Sequence, residues 1–311
     1  MENQEEKLAN LESLRKKLLN KAIFVLVLFG LCTLVGIILF IIQFFDYNDM
    51  IYYFVGFVLL IVGVVGMIVG ISQLNKKLAK AFKEEFDKNY LKEIYGDDFQ
   101  IFYKKGLSFS YLQQSDVLRS PDHYYSSNLF TSTYKGVQIE GCNYCAEFIH
   151  VTTDSKGHTK KVTYSYPGKA YVFTFPRQFK EYFCSFEKGA ISEFYRTPSK
   201  RSEVEFESVE FNKKFKSYSS DQTFAFYLMT PQVQLSLLEF DEKVKSKIVF
   251  VVDGNKLFVF MNNYESAARV SVFKKVSQET LNNYLLELSL PLKLIDDFDV
   301  DKNKFLDTSL K

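Results

Sequence analysis

Cys142-x-x-Cys145, with His150 after four further residues, begins like a zinc knuckle. Thiolate and imidazole are the ligands that tetrahedral zinc prefers, and a structural site takes four of them. The next cysteine should stand at position 155, where the chain has Ser155. His158 or Cys184 can complete the set only by folding back. A strand over 142–152 would also turn Cys142 and Cys145 to opposite sides, because they are three residues apart. The candidate metal ligands are therefore Cys142, Cys145 and His150, weighed against a redox pair and against ordinary strand residues. Asp299-x-Asp301-x-Asn303 with Asp307 resembles a calcium loop, but Lys304 replaces the glycine of its sixth position and Leu310 the glutamate of its twelfth. A solvated tail is the simpler reading. His123, His150 and His158 have no serine or cysteine nucleophile beside them in a G-x-S-x-G setting. No P-loop or dinucleotide fingerprint occurs. These residues assign no catalytic group and no cofactor.

Composition narrows the class of protein that must position such residues. Of 311 residues, 47% are hydrophobic, 17% aromatic and 24% charged, which excludes a disordered chain. A net charge of +2 without a basic tract argues against nucleic acid as a partner. Four cysteines cannot form a disulfide scaffold for a chain of this length. Lysine far outnumbers arginine and tryptophan is absent, a bias that matches AT-rich bacterial codons.

The apolar residues are unevenly spread. Residues 22–45 and 51–71 carry no charge and are joined by a short turn containing Asp46 and Asp49. Twenty-four helical residues span roughly 36 Å, enough to cross a hydrocarbon core of about 30 Å. Eighteen of them are Leu, Ile, Val or Phe, which favours insertion by roughly 5–11 kcal/mol. A cleaved signal peptide does not fit, since its apolar core is shorter and needs a small-residue cleavage site. The flanks carry Lys7, Arg15, Lys16, Lys17 and Lys21 before the pair and Lys76, Lys77, Lys80 and Lys83 after it. The positive-inside rule then predicts a two-pass protein of the cell membrane with both termini cytoplasmic. Unpaired cysteines suit that compartment.

Gly56, Gly63, Gly66 and Gly70 in the second span provide small residues for close helix packing. Their partner is either the first span, along Cys32 and Gly36, or a second copy in a homodimer. Neither span holds an Asp, Glu, Lys, Arg or His, which argues against a pore. The organisation expected is a cytoplasmic amphipathic helix (1–21), a transmembrane hairpin (22–71), a cytoplasmic helical stalk (72–95) and one cytosolic domain (96–311). Antiparallel stalk helices would bring Glu12 near Lys80 and Lys83, and Glu5 and Glu6 near Lys88. Lys16 and Lys17 would meet Lys76 and Lys77, a repulsive cluster that anionic lipid neutralises.

The remainder reads as an α+β domain on a mostly antiparallel sheet. Residues 134–176 alternate as strands, with turns at 154–157 and at Pro167-Gly168. Val204, Phe206 and the stretch Phe211 to Tyr218 suggest two more strands. Asp221 should cap a helix ending near Met229, Thr230-Pro231 should start another, and 248–252 with 257–261 should form a hairpin. Ser277 should cap a last helix, with Leu281, Tyr284, Leu285 and Leu288 on one face, ending before Pro291.

One segment carries a resemblance. Glu207-Ser208-Val209-Glu210-Phe211-Asn212-Lys213-Lys214-Phe215, then Asp221, then Ala225 to Pro231, is similar to the signature of the bacterial domain-of-unknown-function family 3137. The resemblance extends over about residues 70–265. It implies a membrane-anchored cytosolic domain and transfers no catalytic residue. Two function classes follow: a binding or scaffold module with membrane lipid and a protein as partners, or an enzyme with an unrecognised site.

Overall fold

The computed structural model describes residues 2–45, 50–153, 159–190, 192–199, 201–243, 246–262 and 270–299. Their contacts form two compact units, residues 1–89 with 268–283, and residues 90–267 with 284–311.

The first unit is built on α1 (Glu2–Phe45) and α2 (Met50–Tyr95). Both are unbroken by proline, and each continues an apolar run into an amphipathic extension. Leu11, Leu18, Leu78, Phe82 and Phe86 are buried where the extensions meet. Lys7 and Glu85 stand 3.8 Å apart and mark their antiparallel alignment. Glu12 does not reach Lys80 or Lys83, as charge matching had suggested. It holds Arg15 of its own helix through two hydrogen bonds of 2.7 and 2.8 Å, while Lys80 pairs with Glu84 at 3.6 Å. An i,i+3 or i,i+4 neighbour needs no interhelical reach, and it wins. The expected partner Lys88 of Glu5 and Glu6 lies outside the described side chains.

Residues 270–283 complete this unit. Arg15 Nη1 donates to the Val272 carbonyl at 2.8 Å, and the Val272 N–H donates to Asn75 Oδ1 at 2.9 Å. The Val276 N–H donates to Glu12 at 3.2 Å. Val272 is buried with Leu18, Ala22 and Leu78. The Arg15 hydrogen bond holds the Glu12 carboxyl below its ordinary range. Ser277 caps α7 (Gln278–Asp299), accepting from the Thr280 N–H. The helix runs through Pro291 instead of stopping there. Pro291, Leu292, Leu294, Ile295 and Phe298 are buried, so an apolar face outweighs the one backbone hydrogen bond that proline removes.

In the second unit, the strands among the described residues form one antiparallel sheet of order β1-β2-β3-β4-β9-β8-β5-β7-β6. They are β1 (Gln100–Phe102), β2 (His123–Tyr134), β3 (Val137–Thr153), β4 (Thr159–Thr174), β5 (Phe183–Glu187), β6 (Ser202–Val204), β7 (Phe215–Ser219), β8 (Lys247–Asp253) and β9 (Lys256–Asn262). Side chains alternate between two covered faces. The row Cys142, Ala170, Phe260, Val249 and Phe186 crosses five strands and packs with Leu112, Val117, Phe194 and Tyr195. On the other face Phe183, Phe250 and the α7 residue Phe298 meet with ring centroids 5.8 and 6.3 Å apart. The β8–β9 turn has Gly254 at φ +56°, as the first central residue of a type II′ hairpin requires.

Two expectations are corrected here. Pro167-Gly168 is no turn, because β4 runs straight through it. β9 pairs β4 only from Gly168 onward, so Pro167 sits on an edge where its missing N–H costs nothing. Gly168 is needed because a β-carbon there would collide with the Tyr144 ring and come within 2.6 Å of the Met261 carbonyl. The stretch 211–218 is not one strand. Ser208 accepts from the Phe211 N–H and caps α4 (Val209–Lys214), with Glu210 in the first turn and Lys213 and Lys214 in the last. Phe211 and Phe215 are nevertheless both buried, and their rings stack at 4.8 Å. Asp221 caps α5 (Gln222–Leu228), accepting from Phe224 N–H at 2.6 Å, and α6 (Pro231–Lys243) follows.

Candidate functional site

β3 carries all three candidate metal ligands and does not bring them together. Cys142 faces the buried row and Cys145 the opposite side, where it is half-buried. His150 shares the face of Cys142 but lies eight residues further, roughly 26 Å along a strand. Burial pushes the Cys142 thiol up to about 11 and that of Cys184 up to about 12, so both are protonated packing groups at neutral pH. Among the described residues no three His, Cys, Asp or Glu side chains converge as metal ligands. Position 155 and His158 lie outside the described residues, as do Asp301, Asn303 and Asp307.

His150 has another partner. Its Nε2 lies 2.5 Å from Glu193 Oε1, and its ring meets Tyr164 edge-on at 5.1 Å. This contact sits on an arm formed by the far ends of β3 and β4. Beyond the Glu147–His123 pair β2 no longer accompanies β3, and β9 has not yet joined β4. Val151 and Tyr164 on the arm, and Tyr125 beside its base, are each about half exposed. The arm is a two-stranded ribbon with aliphatic and aromatic side chains open on both faces. Tyrosine-rich, half-apolar surface of this kind suits a protein contact.

Two interior groups gave no local signal in sequence. The Tyr195 and Tyr144 hydroxyls are 2.6 Å apart, and Tyr144 donates to Asn262 Oδ1 at 3.1 Å. Tyr144 has one proton, so Tyr195 donates to it. Burial raises both hydroxyls well above an ordinary tyrosine. Glu187 is buried, bonded to Lys247 and accepting from the Ile248 N–H at 3.0 Å. Burial, with Asp241 nearby, raises its carboxyl against the pull of Lys247. Both groups tie strands together from inside.

The spans offer the largest unsatisfied surface. α1 and α2 are each long and apolar enough to cross a membrane, and only 6% and 11% of their most apolar windows are buried. A core helix of a soluble protein would be mostly covered. The glycines of α2 all turn to α1. A β-carbon on Gly36 would stand 2.8 Å from the Gly56 carbonyl, and one on Gly56 would stand 2.9 Å from that of Gly36. Gly63 lies against the Phe29 carbonyl and Thr33, Gly66 against the Phe29 ring, and Gly70 against Val25.

Residues 165–300 match the family model described as protein of unknown function (DUF3137). That segment is similar to this family. The DUF3137 match starts within β4, takes in the whole Glu207–Pro231 signature and runs on past residue 265 through α7. It begins well after residue 70, so the spans and the arm's β3 strand lie outside it. The crystal structure of the mycobacterial trehalose monomycolate transport factor A aligns over 68% of this chain and 93% of its own, at 10% identity and a TM-score of 0.38. At that score the likeness carries no argument. No curated protein matches the chain.

Proposed function

We propose that the chain is a membrane-anchored binding or scaffold module, held in the cell membrane by a two-pass hairpin with both termini cytoplasmic. The observation that carries this reading is the exposure of two uncharged helical runs that the described residues leave largely uncovered. In water, apolar surface on that scale would drive aggregation, whereas in a bilayer it is solvated. The Lys and Arg flanks set the orientation. The glycine face is filled by the chain's own first span, which favours packing within the hairpin over a homodimer through that face.

The sheet supports binding more than chemistry. Its central strands are covered on both faces, and the β3–β4 arm is open. A protein partner docking there would bury Tyr125, Val151 and Tyr164. Photo-crosslinkers placed at these three positions in native membranes should all capture one partner, and a crosslinker at exposed Lys180 should not. Capture that is no stronger at the arm than at Lys180 would contradict the binding surface.

The enzyme reading rests on one contact, the half-exposed His150 against Glu193, which can exchange a proton with a ligand. His150→Gln keeps the size of the group and removes the proton exchange. Unchanged cellular function of this variant would remove that reading.

A further inference from the structure

We propose that the first unit holds a specific site for one anionic phospholipid, in a cavity where the stalk enters the membrane. The proposal rests on the membrane-anchoring reading above and names one partner of that anchor.

A cavity of about 530 Å³ lies against α1 and α2. Its apolar lining is Leu14, Leu18 and Phe24, and its polar lining is Lys17, Asn20, Lys21 and Lys77. On α1, positions 14, 17, 18 and 21 fall on one face at helical spacing, and α2 brings Lys77 to the same place. Three lysine side chains thus line one cavity, largely through their apolar stems, and no carboxylate lines it. Sequence accounts for that lack: no Asp or Glu occurs between residues 13 and 45 or between 51 and 83.

Three other cations of this unit are paired within the protein. Lys7 holds Glu85, Arg15 holds Glu12 and Lys80 holds Glu84. Among the described residues Lys17, Lys21 and Lys77 form no ion pair. Like charges gathered without a counterion destabilise the empty cavity, and an entering anion relieves all three.

Depth decides which anion. Lys21 adjoins Ala22, the first residue of the uncharged run. Lys17 and Lys77 lie about 8–9 Å along the helix axis from the ends of the two runs. The headgroup layer of a leaflet is about 5–7 Å thick, and lysine side chains reach toward it along their apolar stems. Phe24 lies on the hydrocarbon side. A phosphate carrying acyl chains satisfies the lysines and covers Leu14, Leu18 and Phe24 together. A free phosphate gains nothing from the apolar half.

The test uses the full chain in nanodiscs of phosphatidylcholine with or without phosphatidylglycerol, followed by native mass spectrometry of the released protein. The wild type should retain one phosphatidylglycerol per chain, preferred over phosphatidylcholine by at least about tenfold, since each lysine contributes about 1 kcal/mol toward an anionic lipid. The triple variant Lys17→Gln, Lys21→Gln, Lys77→Gln should lose that preference. A second triple variant, Lys16→Gln, Lys76→Gln, Lys83→Gln, removes the same charge outside the cavity and should keep it. Equal loss in both variants would show general surface attraction and overturn the site. Displacement of the lipid by inorganic phosphate would overturn the lipid assignment. Failure of the wild type to enter nanodiscs would overturn the anchoring reading itself, whereas entry without selective retention would overturn the lipid site alone.

Discussion

Tyr144 on β3 donates to Asn262 on β9 at 3.1 Å, reaching across the whole width of β4. The residue it crosses is Gly168, which pairs with Tyr144 on one side and with Asn262 on the other. The missing side chain of Gly168 is what lets the phenol lie flat over the strand. Gly168→Ala should therefore cost about 1–3 kcal/mol by forcing Tyr144 off its partner. Ala146→Gly, on the same face of β3, creates no collision and serves as the control for altered strand propensity. Chemical unfolding of the full chain in detergent checks this, and equal midpoints for wild type and Gly168→Ala would refute it.

The paired phenylalanines give a second expectation. Phe211→Ala or Phe215→Ala should each cost about 3–5 kcal/mol, because both rings are buried and stacked. Asp221→Ala removes only the N-cap acceptor of α5 and should cost about 0.5–2 kcal/mol. If all three variants keep wild-type stability and yet abolish the cellular phenotype, the Glu207–Pro231 segment is a functional surface and not a structural one.

What sequence revealed depended on how local each cause is. The spans, the β8–β9 hairpin and the Asp221, Pro231 and Ser277 helix starts are written within a few neighbouring residues, and all were legible. Pro167-Gly168 has the form of a turn, but its meaning comes from Tyr144 and Asn262 on other strands. Phe211 and Phe215 have the spacing of one strand face, although Ser208 and the charges of Glu210, Lys213 and Lys214 mark a short helix. The Arg15–Val272 contact joins residues 257 apart in the chain, and no periodicity announces it. Among the candidate ligands, the three-residue spacing of Cys142 and Cys145 did foretell opposite faces, but nothing near His150 pointed to Glu193.

Span packing separates the glycines by what faces them. Gly36, Gly56 and Gly63 lie against backbone atoms of the other helix, which cannot move aside. Leucine at any of these should force the hairpin apart and lower its thermal stability in detergent strongly. Gly66 and Gly70 face the side chains of Phe29 and Val25, so leucine there should have a smaller effect. Val62, exposed on the outer face, should tolerate leucine. Equal losses at Val62 and Gly56 would contradict the seam.

Alkaline pH should weaken the fold from inside. Burial holds Cys142 up at about 11 and Cys184 up at about 12, against roughly 8.5 for a solvated thiol. As pH rises above about 8.5 the unfolded chain loses these protons while the native chain keeps them. Native protein then binds more protons than unfolded, and stability falls with rising pH. The slope is at most about 1.4 kcal/mol per pH unit for each thiol. Tyr144 and Tyr195, shifted in the same direction, add to the loss above about pH 10. Unfolding midpoints measured from about pH 8 to 10.5 should drop, and the double variant Cys142→Ala, Cys184→Ala should flatten the first part of that drop. A flat wild-type profile would contradict the buried thiols.

Membrane topology is the claim on which the rest depends, and cysteine labelling in intact cells tests it most directly. With native cysteines replaced, Asn48→Cys in the turn between the spans should react with a membrane-impermeant maleimide. Lys311→Cys should react only after the cells are opened. Labelling of Lys311→Cys in intact cells with protection of Asn48→Cys would place the sheet unit outside and contradict the account.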